Sequence, residues 1–254
     1  MNSVDKSAKQ PRFIVTFNRN ITLLTLIALP ILISLGIWQW SRAAEKRELE
    51  NRYAHLQAQP PVTLTAASLN ELPDYQRVTV QGHFDNEHTW LLDNKQRQGR
   101  VGYEVVTPFV LNDGQRLLVN RGWLAAGKTR AQLPVIDQVK GEVTLFAELV
   151  SVVKHPLLDA RTTRQEWPRV VMAIDIADMS QQLNQKLLHR YLRLDESSTG
   201  ALITDWQAVN MSPEKHMGYA FQWFGLAAAL VIWFVFANTN LFEYWRSRRQ
   251  KTKQ

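Results

Sequence analysis

The stretch ITLLTLIALPILISLGIWQW, residues 21–40, holds no charged side chain, and neither does MGYAFQWFGLAAALVIWFVFANTNL, residues 217–241. A bilayer core about 30 Å thick takes roughly 20 apolar residues in a helix, so each stretch is long enough to cross it. These two stretches decide the fold class. The chain reads as a membrane protein in which an N-terminal and a C-terminal transmembrane α-helix bracket one polar region, residues 41–215. A region of that size buries one hydrophobic core, hence one domain.

Charge suggests how the spans are oriented. The net charge of +7 would point to nucleic acid if it were spread over the chain. Residues 1–20 carry +3 and residues 243–254 carry +4, whereas residues 43–215 sum to −1 and Arg42 supplies the remainder. Basic flanks of apolar spans mark cytoplasmic tails, and nucleic-acid binding loses its support. Arg42, Lys46 and Arg47 just beyond the first span weaken this bias but are outnumbered by the two tails. The expected layout is a cytoplasmic tail (1–20), a first span (21–40), a periplasmic domain (41–215), a second span (217–241) and a basic cytoplasmic tail (242–254), in the inner membrane of a bacterium. Ser41-Arg42-Ala43 is a poor cleavage site and the first apolar run is long for a signal peptide, so an uncleaved anchor is expected. The sequence has no cysteine. Disulfides, covalent c-type haem attachment and the thiolate pair of most copper carriers are therefore excluded.

Alternation and β-branched content predict strands at 76–84, 89–92, 101–111, 116–119, 139–149, 170–174 and 188–194. Asn112-Asp113-Gly114 predicts a hairpin. Residues 176–187 show helical spacing with Asp175 as N-cap, and residues 43–58 read as a charged helix leaving the first span and stopped by Pro60-Pro61. Residues 124–134 and 195–204 read as loops. Hairpin-linked strands with one helix predict a mainly-β, antiparallel, barrel-like α+β domain.

Three clusters carry candidate chemistry. The first span ends in Gly36-Ile37-Trp38-Gln39-Trp40-Ser41-Arg42, where Trp38 and Arg42 are four apart and share a face. An interfacial belt with Arg42 snorkelling accounts for it, and so does a polar stripe receiving an anionic ligand group. The second span opens on His216, and Tyr219 and Trp223 lie within about 60° of it around the helix. That face suits a flat apolar cofactor with an open metal position; a solvated histidine above an aromatic belt is the plainer account. The third cluster is Val119-Asn120-Arg121-Gly122-Trp123, read as a strand entering a turn in which Gly122 takes a positive φ. Arg121 there suits a carboxylate or a structural pin equally. His83 to His88 packs two histidines and two carboxylates into six residues, but it spans a predicted turn where polar residues are expected. His55, His155 and His189 have no partner at ligand spacing. Met211, His216 and Met217 are thin support for a thiol-free copper carrier.

Together the three clusters resemble the Surfeit locus protein 1 family of cytochrome c oxidase assembly factors. Its pattern G-x-W-Q-x-x-R is similar to Gly36, Trp38, Gln39 and Arg42, V-N-R-G-W to Val119–Trp123, and H-x-x-Y-x-x-x-W-[FY] to His216, Tyr219, Trp223 and Phe224. Three motifs in order, with matching topology, are specific; residues 130–200 match only loosely. The resemblance implies an assembly factor for a haem–copper oxidase rather than an enzyme, handling haem a and presenting it to the nascent large subunit. It also implies oxidase subunits and the haem a synthesis machinery as partners. The haem would be held, if only in transit, by His216 on the iron, with Tyr219, Trp223, Trp38, Gln39 and Arg42 around it. The alternatives are a membrane-anchored scaffold with no cofactor and an extracytoplasmic binding or sensor module. No protease, hydrolase or phosphate-loop signature supports an enzyme.

Overall fold

A computed structural model of the chain describes residues 12–65, 67–127, 129, 132–153, 166–207 and 211–251; His155 lies outside them. In chain order the elements are α1 (Arg19–Ala58), β1 (Val62–Thr63), β2 (Arg77–Phe84), β3 (Trp90–Arg97), β4 (Arg100–Leu111), β5 (Arg116–Ala125), β6 (Val143–Ser151), β7 (Arg169–Val171), α2 (Ile176–Leu183), β8 (Arg190–Leu194), α3 (Pro213–Asn238) and α4 (Leu241–Lys251). They form two compact units, Met1–Glu50 with Val209–Gln254, and Asn51–Ala208.

The first unit is a pair of helices long and apolar enough to cross a membrane. Thr25, Gly36 and Ala43 are buried on α1, and Pro213, Ala220 and Ala227 on α3. Their spacings of seven and eleven keep each set on one stripe, so the helices meet along a seam of small residues. The pairing is antiparallel: Gly36 lies against the Phe224 ring, and Arg47 is 3.7 Å from Glu214. A Cβ at Gly36 would stand 2.6 Å from that ring, so a glycine is what allows the approach. Gly218 and Gly225 on α3 face open space.

Helix α3 stops three residues short of the end of the apolar run. Asn238 Nδ2 donates to Phe234 O (2.8 Å) and Thr239 Oγ1 to Val235 O (2.7 Å), taking the last-turn carbonyls, and Thr239 itself is extended. Short polar side chains that compete for backbone groups end helices in this way. The expected basic tail is accordingly helical from Leu241 to Lys251.

In the second unit β2, β6, β8, β5 and β4 follow one another, and β2 also pairs with β4, Gly82–Phe84 against Phe109–Leu111. That last pairing closes a five-stranded barrel, as the alternation predicts. Closure requires Gly82, where a Cβ would stand 2.0 Å from Val110 O. The barrel interior holds Val80, Phe84, Phe109, Leu117, Leu145 and Leu192. The long strand β4 continues past β2 to pair with β3, which carries β7 on its outer edge. Most pairings are antiparallel, but β1–β2, β3–β7 and β5–β8 are parallel. Helix α2 is capped by Asp175, which accepts from the Ala177 and Asp178 amides, and it packs Met179 and Leu183 on Trp90 and Leu118. It ends at Asn184, in the left-handed region at φ 53°, before the predicted end at 187.

Other boundaries move too: strand β3, predicted to end at residue 92, runs on to Arg97. The motif at 119–123 does not enter a turn: β5 runs on to Ala125 through a bulge, with Glu104 opposite Trp123 and Val106 opposite Asn120. Arg121 and Gly122 together face Val105. Gly122 has the expected positive φ, 114°, which lets the strand take an extra residue and keep pairing.

A candidate ligand site on the helix pair

Gln39 and His216, 177 residues apart, come together on the seam. His216 Nδ1 lies 2.8 Å from Gln39 Oε1. An amide oxygen only accepts, so Nδ1 carries the proton and donates it. In the neutral ring Nε2 is then left with a lone pair, the arrangement that prepares an imidazole to ligate a metal.

The other motif residues stand around this pair. Trp223 is half-buried, Tyr219 is 45% exposed and Trp38 is 50% exposed. At about 100° per residue, Gln39, Arg42 and Trp38 step away from the α1 seam in the same rotational sense as His216, Trp223 and Tyr219 step away from the α3 seam. Antiparallel neighbours are related by a two-fold axis normal to their plane, which carries equal rotations to the same face. Gln39, Arg42, His216, Trp223 and Tyr219 therefore border one face of the pair, and Arg47 and Glu214 lie on the other. Trp38, two residues and about 160° around the helix from Gly36, points nearly away from α3. The Arg42 guanidinium pairs with Glu45 at 2.7 Å, both side chains being exposed. Such a pair is worth about 0–1 kcal/mol and exchanges easily for another anion. The donor set of free imidazole nitrogen, aromatic faces and exchangeable guanidinium fits a haem with its iron and propionates.

The third motif is spent inside the β unit. Asn120 Nδ2 donates to Glu104 Oε2 (2.8 Å), and its Oδ1 accepts from Gly122 N (3.1 Å). Arg121 donates from Nε to Gly200 O (2.8 Å) and from Nη2 to Asp137 O (3.0 Å), with its guanidinium over the Phe84 ring. Burial lowers its pKa, and the charge of Asp137 partly restores it. Trp123 Nε1 donates to Lys95 O (3.1 Å). These contacts tie two loops and strands β3 and β4 to β5, the arrangement of a structural pin. In the segment 83–88, His88 bonds Asp85 (2.8 Å) and stacks edge-on against Trp167, while His83 points outward.

One polar group of the β unit escapes sequence reading. Glu148 is buried on β6, where it takes a hydrogen bond from Gln57 Nε2 (2.9 Å), another from Tyr53, and an ion pair from Arg193. Arg193 lies between the Tyr75 and Trp206 rings. Burial raises the Glu148 pKa above the ordinary carboxylate range, and Arg193 only partly offsets it. The one available signal is a lone acid in the apolar strand VTLFAELVS. Tyr53 and Gln57 belong to the last turns of α1, so this network seats the end of that helix on the sheet.

The sequence model of the SURF1 family matches residues 26–228. A SURF1-like protein of Rickettsia felis is 30% identical over 237 residues, 86% of this chain and 97% of that protein. Surfeit locus protein 1 of Xenopus tropicalis is 30% identical over 231 residues, 80% of this chain and 71% of that protein. The cytochrome oxidase assembly protein SHY1 of Saccharomyces cerevisiae is 29% identical over 119 residues, 44% of this chain and 30% of that protein.

Proposed function

The chain belongs to the SURF1 family, and from that premise we propose that it assists assembly of cytochrome oxidase by holding haem a for the nascent large subunit. The oxidase role is supported by the name of the yeast relative. The observation that carries the haem reading is the Gln39–His216 hydrogen bond, which orients a ring nitrogen at the end of two membrane helices. His216 Nε2 would meet the iron, and Gln39 would keep the ring in the tautomer that leaves this nitrogen unprotonated. Trp223 and Tyr219 would lie against the macrocycle. Arg42 would leave Glu45 for a propionate, an exchange that is cheap at the membrane boundary and costly deeper in lipid. Haem a would supply an open iron coordination position, and nothing in this reading requires catalysis by the chain. Oxidase subunits and the haem a synthesis machinery are the partners it implies.

The same reading places the chain in a bacterial inner membrane with both termini cytoplasmic and residues 41–215 periplasmic, on the strength of the charge partition. A reporter active only in the periplasm should work when fused near residue 130, and a cytoplasmic one after Gln254. The reverse pattern would overturn the orientation.

Purification from haem-a-producing cells tests the cofactor. The full chain should show a haem a absorption spectrum, and His216→Ala should remove or shift it while membrane insertion stays normal. An unaltered spectrum in that variant would sink the ligand assignment. A colourless wild-type protein that still retains oxidase subunits would favour a scaffold without cofactor.

A further inference from the structure

At the end of the helix pair from which both tails emerge, the chain before α1 is tied to the break between α3 and α4. Ile14 N donates to Asn240 Oδ1 (2.8 Å), Asn240 Nδ2 donates to Arg12 O (2.8 Å), and Thr16 N donates to Asn238 O (2.8 Å). Asn18 N donates to Asn238 Oδ1 (2.6 Å), and Phe13 packs edge-on against Tyr244. Two segments more than 200 residues apart thus form one element.

Its apolar groups are turned outward. Phe17 is 72% exposed, Phe242 66% and Trp245 56%. The same two segments, 12–19 and 241–251, carry Arg12, Arg19, Arg246, Arg248, Arg249 and Lys251 against the single acid Glu243. Neither water nor hydrocarbon suits this combination. The apolar part of α3, from Met217 to Asn238, already covers about 33 Å at 1.5 Å per residue, enough for the bilayer core. Helix α4 therefore starts past the hydrocarbon, and the extended residue Thr239 frees it from the axis of α3. In the headgroup layer both demands are met: aromatic rings sink to the acyl boundary, and guanidinium and ammonium groups pair with phosphates.

We propose that residues 12–18 and α4 form a collar in the headgroup layer that binds anionic phospholipid. Lipid is favoured over a protein partner by charge complementarity. A dense set of cations is stabilised by the negative surface of an acidic leaflet, and exposed aromatics beside them are the usual companions of such binding. The proposal needs the two helices to be embedded but is independent of haem binding.

The test uses the full chain in bilayer nanodiscs. Because the sequence has no cysteine, Phe242→Cys and Phe17→Cys each accept a single spin label. Collision with dissolved oxygen reports lipid exposure, and collision with a water-soluble nickel chelate reports aqueous exposure. Adding phosphatidylglycerol to phosphatidylcholine should raise the oxygen-to-nickel ratio severalfold at both positions, and added salt should reverse part of the rise. Changing Arg246, Arg248, Arg249 and Lys251 together to Gln should abolish the lipid dependence at position 242. A label at Val231→Cys, inside α3, should stay deep throughout and so reports insertion separately. Equal nickel access in both bilayers, with Val231 deep, would place α4 in water and overturn the proposal. Protection from both reagents in every bilayer would mean that protein covers the collar, and would overturn it as well.

Discussion

Arg121 and His216 each sit in a conspicuous motif, and the two side chains are used in opposite ways. In the β unit Arg121 is almost wholly buried, donates to two carbonyls, Gly200 O and Asp137 O, and lies over a phenyl ring. In the helix unit His216 is half-buried and turns Nδ1 inward to Gln39. Burial with two carbonyl partners commits a group to holding the fold. Partial burial with one ring nitrogen tied back orients a group for something outside. A motif is therefore not evidence of a ligand site until its polar atoms are accounted for.

The largest effect on stability should come from Gly122→Val, because φ of 114° strains any branched residue and a Cβ would meet Ile203 O at 2.7 Å. A loss of about 3 kcal/mol or more is expected, read as a lower denaturation midpoint and low protein abundance with normal membrane targeting. Unchanged abundance with lost oxidase assembly would instead make the bulge a contact surface. Arg121→Ala should cost about 2–3 kcal/mol by removing the buried guanidinium that holds the Gly200 and Asp137 carbonyls, again seen in unfolding. An Arg121 variant of normal stability but defective function would mean that Arg121 serves a ligand or partner rather than the fold.

His216→Ala should change stability by less than about 1 kcal/mol while removing or shifting the haem spectrum. Gln39→Leu should leave haem bound with a shifted spectrum, since the ring loses only the partner that orients it. Arg42→Ala should weaken retention least, because its guanidinium is already shared with Glu45.

The smallest effect concerns pH. Glu148 has a folded pKa raised by burial, so its contribution is fully present below the unfolded value near about 4.3 and is lost as pH rises through the folded value. Glu148→Gln removes that titration. Wild type should therefore lose stability relative to the variant as pH rises above this unfolded value, in parallel denaturation series. The opposite slope would mean that Arg193 outweighs burial.

Much of the β unit is legible because strand alternation and turn residues are local signals. The Asn112–Gly114 hairpin, the Asp175 cap and the positive φ of Gly122 are examples. The bulge at Arg121 and Gly122 is not legible as such. A glycine after a strand reads equally as a turn, and only the opposing register, Val106 against Asn120, shows that pairing resumes. Glu148 fails for a related reason: alternation marks which face a residue takes but not whether Gln57 and Arg193 will be waiting there.

What the sequence determines by itself is what sums along the chain. Two uncharged runs are each long enough for a bilayer, and the basic residues concentrate in the flanks outside them. Hydropathy and charge need no knowledge of neighbours in space. What only the tertiary structure decides is which distant groups meet. Gly36 proved to be the close-approach glycine, whereas Gly218 and Gly225 face open space. Gln39 reached His216, and Asn240 reached back to Arg12. Each outcome depends on the rotational and axial register of one segment against another. Register is settled by packing of the whole seam or barrel, so no window of sequence contains it.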